Sequence, residues 1–286
     1  MKTFKILPGF KPKVKKSSLY NLLRYSCIPS PNSIFENIHK VQPGELIIFG
    51  EDLKVEKKKF WSSVSLINNR QFYSNELSSC TDFIESELEK SISSTMVSDV
   101  PIGAFLSGGI DSSLVTSLMV KQSKKRIQTY SIGFRDKDFN EADYAKKISQ
   151  HLQTDHNEAY VSEKDLLDVI PLLPNIYCEP FADSSQIPTY LVSKLSSKKT
   201  KVILSGDGAD ELFGGYNRYF YAEKISQSTQ IFPNILKKIL SNCLALISQK
   251  NSLNVQDFFL RKKIPQFNEK LMKLSKIISN DKNFLY

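Results

Sequence analysis

Residues 100–120 read VPIGAFLSGGIDSSLVTSLMV. The apolar segment 101–106 runs through Ser107-Gly108-Gly109-Ile110-Asp111-Ser112 into an apolar stretch of helical period, which predicts strand, tight turn and helix. Such a turn is an anion cradle. Gly108 and Gly109 let the backbone bend and approach a ligand without Cβ clashes, and the free N–H groups at the helix start point at whatever sits there. Ser107 and Ser112 add hydroxyl donors. Asp111 adds a carboxylate that repels phosphate unless a divalent cation lies between them, so the combination points to magnesium pyrophosphate. The plainer alternative is a turn that caps an ordinary helix. A chance S-G-G-x-D-S in a chain of this length is on the order of one in a few thousand.

Working outward, Phe72 to Val97 carries Leu77, Phe83, Ile84, Leu88 and Ile92 at helical spacing, with Glu85, Glu87 and Glu89 on a solvated face. After the cradle helix, RIQTYSIGF (126–134) is rich in strand formers. Asn140 is placed to cap a helix over Ala142–Leu152, and HNEAYVS (156–162) reads as a further strand. Strand, helix, strand, helix, strand implies an α/β fold, a doubly wound parallel sheet with flanking helices. Such sheets bind ligands at the carboxyl ends of their strands. We therefore place adenine between Leu106 and the Ile132-Gly133-Phe134 segment, with Leu106 and Ile132 supplying apolar and backbone contacts. The alternative makes both simply core residues.

A second loop follows in KVILSGDGADELFGGYNRY (201–219). Val202–Leu204 reads as a buried parallel strand, and Ser205-Gly206-Asp207-Gly208-Ala209-Asp210-Glu211 as a polar, glycine-rich loop at its end. It is no dinucleotide fingerprint, because Glu211 stands where the last glycine belongs, and no EF-hand loop. Two such loops at neighbouring strand ends can hold one Mg²⁺ between Asp111 and Asp210, with pyrophosphate oxygens completing its shell. Between the loops, a helix over residues 163–172 is expected to stop at Pro171 and Pro174. Glu179 and Asp183 then bracket a Pro-Phe turn, where Asp183, Ser184 and Ser185 either cap the next helix or line the cleft.

The first loop lacks the lysine pattern of a Walker P-loop and resembles the PP-loop of the ATP pyrophosphatases, enzymes that cleave ATP between its α and β phosphates. With SGDGADELFGGY it resembles the synthetase domain of the asparagine synthetases, over about residues 19–225. That resemblance implies a PP-loop fold of the adenine nucleotide α-hydrolase type and ATP with Mg²⁺. The implied reaction makes asparagine from aspartate through β-aspartyl-AMP, which ammonia then attacks. Carried over by position, Leu106, Ile132, Ser205 and Gly206 bind ATP and Ser107 to Ser112 the pyrophosphate. Asp207 falls where many members have glutamate near the reacting carboxylate and, with Asp111, is the expected catalytic residue. RYSCIPSPNSIFENIHKVQPGELIIFG (24–50), with Trp61, resembles the end of that family's glutaminase domain. That domain begins with a catalytic cysteine after the initiator methionine, whereas this chain begins Met1-Lys2-Thr3 and Cys27 reads as a small apolar residue. The family lysine that contacts the reacting phosphate lies further along, and Lys262 and Lys263 do not sit in its motif. We therefore expect three segments: 1–61, a flexible basic end and glutaminase remnant; 62–225, the PP-loop domain; 226–286, the incomplete basic helical end. Nitrogen then comes from ammonia or a separate glutaminase subunit.

Composition bounds these readings. At 286 residues, 41% hydrophobic and 24% charged, the chain has globular composition. It has no apolar run of membrane-spanning length and no signal-peptide core, so a cytoplasmic location is expected. Four cysteines without a C-x-x-C pair suggest neither zinc nor redox chemistry. The net charge of +9 belongs to the ends: residues 1–16 hold six lysines and no acid, and residues 231–286 ten Lys/Arg against three Asp/Glu. The middle, with the loops, is slightly acidic, which argues against nucleic acid as the partner. Basic amphipathic helices at 231–247 and 268–278 are expected to pack on the sheet domain rather than on a membrane. His39, His151 and His156 are the only histidines, and none suggests a catalytic triad. The alternatives are amidation of another carboxylate, such as a sugar acid, and an inactive remnant that still holds ATP or pairs with a partner; a homodimer stays open.

Overall fold

The computed structural model describes residues 2–52, 54–68, 76–134, 140–217, 219–221, 224, 233–249 and 267–278. Phe72, Phe139, Lys262 and Lys263, and the start of the 231–247 segment, lie outside the described residues. The chain divides into two compact units, Met1–Gly206 and Asp207–Tyr286.

The first unit opens with a short 3₁₀ helix, Lys2–Ile6, and helix α1, Lys16–Tyr25. Residues 1–16, expected as a flexible end, make backbone contacts with the segment that follows. Lys15 N donates to the Ile34 carbonyl at 2.9 Å, Glu36 N to the Lys13 carbonyl at 2.8 Å, and Val14 pairs with Phe35. Strands β1 (Glu45–Phe49) and β2 (Val55–Lys59) form the expected hairpin, antiparallel with Glu45 opposite Lys59. Its base is closed at Gly44, whose φ of +71° and tight approach to the Trp61 carbonyl exclude a side chain. Helix α2 (Ser63–Asn68) follows. This segment buries little by itself and leans on a later loop: Glu179 accepts from Ile34 N at 2.8 Å and from Lys40 Nζ at 2.7 Å, and Ala182 N donates to the Ser26 carbonyl at 2.7 Å. Glu179 thus anchors the N-terminal segment.

The body of the unit alternates as the hydrophobic periods predict. In order come α3 (Leu77–Thr95), β3 (Ile102–Phe105), α4 (Ile110–Gln122), β4 (Gln128–Phe134), α5 (Ala142–Leu152), β5 (Asp155–Val161), α6 (Glu163–Val169), α7 (Leu173–Ile176), α8 (Gln186–Ser196) and β6 (Val202–Leu204). The sheet has four parallel strands in the order β5-β4-β3-β6, with Gly103 opposite both Gln128 and Ile203 and Gln128 opposite Asp155. From β3 the chain winds to β4 and β5 on one side, then returns to place β6 on the other, so the order reverses between β3 and β6. Ile92, Ala104, Leu118, Met119 and Ile127 form the core under α3 and α4. Only the C-terminal half of the α3 stripe enters it, since Leu77 is 82% exposed. The α3 acids are solvated and paired, Glu85 and Glu89 with Lys121 and Glu87 with Lys90.

Three local expectations need correction or refinement. Helical structure does not stop at Pro171: a 3₁₀ turn, Ile170–Leu172, and then α7 each carry a proline in the first turn, where its missing N–H loses no helical bond. The β6 strand is parallel but not buried, because it is the sheet edge, and Val202 is 38% exposed. Asn140 stands one residue ahead of the α5 N-cap, Glu141, and its Oδ1 accepts from Ala142 N at 3.2 Å.

In the second unit, α9 (Ala209–Phe213) lies between two glycines of positive φ, Gly208 at +93° and Gly214 at +67°. Helices Asn234–Gln249 and Phe267–Ile278 pack along one another, burying Ser241, Ser275 and Ile278. Among the described residues no helix is long and apolar enough to cross a membrane.

Candidate nucleotide site

The cradle begins where the β3–β4 ladder ends, with Leu106 N donating to the Tyr130 carbonyl at 2.9 Å. Gly108 takes φ +86°, and a Cβ there would lie 2.6 Å from both Ala145 N and Tyr144 Cβ of α5, so the loop presses onto that helix. The serine hydroxyls hold its shape. Ser112 Oγ accepts from Ser107 N at 3.2 Å, Ser107 Oγ accepts from Gly109 N at 3.2 Å, and the two hydroxyls lie 3.0 Å apart. Gly109 caps α4 without a side chain, and the first helical bond is from Ser113 N to the Gly109 carbonyl, 3.1 Å. The N–H groups of Ile110, Asp111 and Ser112 therefore have no acceptor within the helix, the arrangement that suits an anion. Asp111 stands in this first turn.

The second loop reaches the same place. Ser205 and Gly206 follow β6 directly, and a Cβ at Gly206 would lie 2.9 Å from Asp111 Cβ and 2.9 Å from Ser112 N. Backbone meets backbone across the β3/β6 gap, at the carboxyl ends of two strands and at the point where strand order reverses. This is where open α/β sheets take ligands.

Beside the cradle lies a cavity of about 290 Å³. Its walls include Leu106, Ser107, Ser131, Ile132, Phe134, Glu141, Pro188, Thr189 and Val192. The structure thus brings together Leu106, Ser107, Gly108, Gly109, Asp111, Ser112, Ile132 and Gly206, with Ser205 adjoining. Leu106 both lines this cavity and is buried to 1% exposure, so core and contact are not exclusive roles. Gly133 does not line it. A Cβ there would meet Tyr160 at 2.7 Å and Ala142 at 2.9 Å, so that glycine serves the packing of α5 and β5. Asp183 closes a local turn ahead of α8: its Oδ1 accepts from Ser185 N, the N-cap residue, at 2.8 Å, and that bond holds its carboxyl below the ordinary pKa. Sequence reasoning missed Glu141, Pro188, Thr189 and Val192, which reach the cavity from α5 and α8 and carry no motif of their own.

Asp207 and Asp210 belong to the second unit, where Gly215 N donates to the Asp210 carbonyl at 3.0 Å. Among the described residues no group of three or more His, Cys, Asp or Glu is placed to hold a metal. A cation here would need ligand oxygens beside carboxylates such as Asp111, as expected for a metal that arrives with a polyphosphate. His156 is half-buried on β5 between Thr129 Oγ1 (2.9 Å) and Ser131 Oγ (3.2 Å). Burial lowers its pKa, with Glu158 opposing and Lys146 adding smaller effects.

A parallel sheet with flanking helices, a serine-glycine cradle after one strand and a second glycine loop packed on it, is an α/β domain of the PP-loop type. The chain belongs to the asparagine synthase family, whose model matches residues 84–281. It is similar to asparagine synthetase [glutamine-hydrolyzing] 1 of Bacillus subtilis, 31% identical over 238 residues that cover 83% of this chain and 36% of that protein. It is likewise similar to putative asparagine synthetase [glutamine-hydrolyzing] 2 of Methanocaldococcus jannaschii, 36% identical over 72% of this chain and 39% of that one. The chain thus spans less than two-fifths of these relatives' length. A solved NH3-dependent NAD synthetase from Campylobacter jejuni matches 71% of this chain and 95% of its own at 17% identity, with a TM-score of 0.34, too low to carry an argument.

Proposed function

We propose that this chain catalyses ATP-dependent amide synthesis, converting aspartate to asparagine through β-aspartyl-AMP, with AMP and pyrophosphate as products. The observation that carries this reading is the contact of Gly206 with Asp111 and Ser112, which joins a phosphate cradle to a second polar loop beside a base-sized cavity. The residues suit ATP: an apolar slot between Leu106 and Ile132, and N–H donors at the start of α4.

A carboxylate oxygen of aspartate attacks the α-phosphorus and the bond to the bridging oxygen of pyrophosphate breaks. Ammonia nitrogen then attacks the acyl carbon, AMP leaves with the acyl oxygen, and the nitrogen sheds a proton. Charge develops on the leaving pyrophosphate where the α4 N–H groups are already oriented, and losing one such donor typically costs about 3 kcal/mol of transition-state stabilisation. Mg²⁺, for which Asp111 would supply a carboxylate ligand, would neutralise polyphosphate charge. Asp207 would sit near the reacting carboxylate. It is one methylene shorter than the glutamate common at that position in the family, which leaves another carboxylate, such as a sugar acid, as the second candidate acceptor. Residues 1–61 we read as the end of a glutaminase module and 226–286 as part of the synthetase end, with nitrogen supplied as ammonia or by a separate glutaminase subunit in the cytoplasm.

The test is aspartate- and ammonia-dependent pyrophosphate release from Mg-ATP, beside Asp111→Ala. Release by the parent chain that Asp111→Ala abolishes supports the reading. Parent-chain ATP binding without release under any carboxylate supplied overturns it and leaves a nucleotide-binding remnant.

A further inference from the structure

We infer that Glu141 holds the ribose hydroxyls of the bound nucleotide and makes the site selective for ribonucleotides, an assignment that rests on the ATP reading above. Among the described residues Glu141 is the only acid on the cavity wall, whose other named side chains are apolar or hydroxyl-bearing. Its carboxylate has no hydrogen-bond or ion-pair partner among the described residues and shares the wall with Leu106 and Ile132. An ionised carboxylate only accepts hydrogen bonds, so the ligand atoms that meet it must be donors.

ATP offers two sets of neutral donors, the ribose hydroxyls and the adenine amino group. Position decides between them. The Glu141 carbonyl accepts from Ala145 N at 3.1 Å, and Ala145 N is one of the atoms a Cβ on Gly108 would strike, at 2.6 Å. Glu141 therefore stands at the cradle end of the cavity, next to where the phosphates sit. The apolar slot of Leu106, Ile132, Phe134, Pro188 and Val192 is left for the base. The sugar must span phosphates and base, so its hydroxyls meet the acid. A hydroxyl pair between the carboxylate and the polyphosphate also separates two negative groups that would otherwise repel.

The backbone of Glu141 is already fixed. Glu141 is the N-cap of α5: its carbonyl accepts from both Tyr144 N and Ala145 N, and the neighbouring Asn140 Oδ1 accepts from Ala142 N, so the acid is presented from a rigid helix start. A hydrogen bond to a charged group contributes a factor of about 10 to 100 in binding.

The experiment is titration calorimetry of the chain with Mg²⁺ and ATP, 2′-deoxyATP, 3′-deoxyATP or the 6-deamino analogue purine riboside triphosphate, without aspartate, for the parent, Glu141→Ala and Glu141→Gln. The expected result is a parent preference of about 10-fold or more for ATP over at least one deoxy analogue. Glu141→Ala should abolish that preference by weakening ATP more than that deoxy analogue, and Glu141→Gln, which keeps an acceptor oxygen, should retain part of it. Loss of discrimination against the 6-deamino analogue alone would move Glu141 to the base and overturn the assignment. Equal weakening of every nucleotide would also overturn it, giving Glu141 a cation or field role. If the parent chain binds no ATP, the failure lies in the ATP reading and takes this inference with it.

Discussion

The contact between the two loops can be tested by one methyl group. In Gly206→Ala the new Cβ would lie 2.9 Å from Asp111 Cβ, 2.9 Å from Ser112 N and 3.0 Å from the Asp111 carbonyl carbon. Carbon atoms rest at about 3.5 Å or more, so one loop must retreat by roughly 0.5 Å. What opposes the methyl is backbone at the start of α4, which cannot swing aside like a side-chain tip. Overpacking of this kind costs about 1–3 kcal/mol. Gly206 is not among the glycines of positive φ, so the substitution carries no conformational strain and the effect isolates packing. The retreat also displaces the cradle N–H groups relative to Ser205. Misplacement on the order of 1 Å can cost about 100-fold in rate, so a 10-fold or greater loss of ATP affinity or turnover is expected here. Urea unfolding gives the stability term and calorimetry with Mg-ATP the binding term. Gly9→Ala is the control, since Gly9 has φ +76° and no atom within 4 Å of its virtual Cβ, so it reports strain without packing. Unchanged stability and unchanged ATP affinity in Gly206→Ala would refute the close apposition of the loops and the composite site with it.

Two further outcomes follow from the geometry. Glu179→Ala leaves Ile34 N and Lys40 without their carboxylate, and Ile34 is only 7% exposed, so we expect about 1–3 kcal/mol of local stability to be lost. Hydrogen exchange should show faster exchange over residues 26–40 while the β3 and β4 amides keep their protection; unchanged exchange there would contradict the anchoring role. His156 has a folded pKa below its ordinary 6.5, mainly through burial. As pH falls, the unfolded chain therefore takes up its proton first, and stability is retained above about 6.5 and declines below it. Urea midpoints at about pH 7.5 and about pH 5.5 should fall apart in the parent and draw together in His156→Gln, and equal slopes would rule out this histidine as the source.

How far the chain could be read in advance varied with the range of the forces. The α5 helix, the hairpin and the strands around the cradle emerged at their expected places, because period, caps and turn residues act within a few positions of one another. Misreadings arose where a distant partner decides. Residues 13–15 are ordered only because residues 34–36 lie beside them. Pro171 and Pro174 look like terminators until each is seen in the first turn of a new helical piece. An apolar run of three residues cannot say whether it is a central strand or, as β6 is, an edge.

The cradle itself was legible because a phosphate site of this kind is built from consecutive residues: strand end, two glycines, helix start. The cavity was not, since its walls come from four elements separated along the chain, and Glu141 looks in the sequence like one more polar residue at a helix start. Gly133 was assigned to the ligand by its position at a strand end, and packing against Tyr160 and Ala142 claims it instead. Local sequence determined the parallel α/β alternation and the two glycine loops, because glycine tolerance, helix capping and hydrophobic period are properties of neighbouring residues. Tertiary structure alone decided that Gly206 closes on Asp111 and that Glu179 anchors the N-terminal segment. It alone put the Glu141 acid on the cavity wall, because such contacts exist only once the strand order β5-β4-β3-β6 has brought remote backbone together.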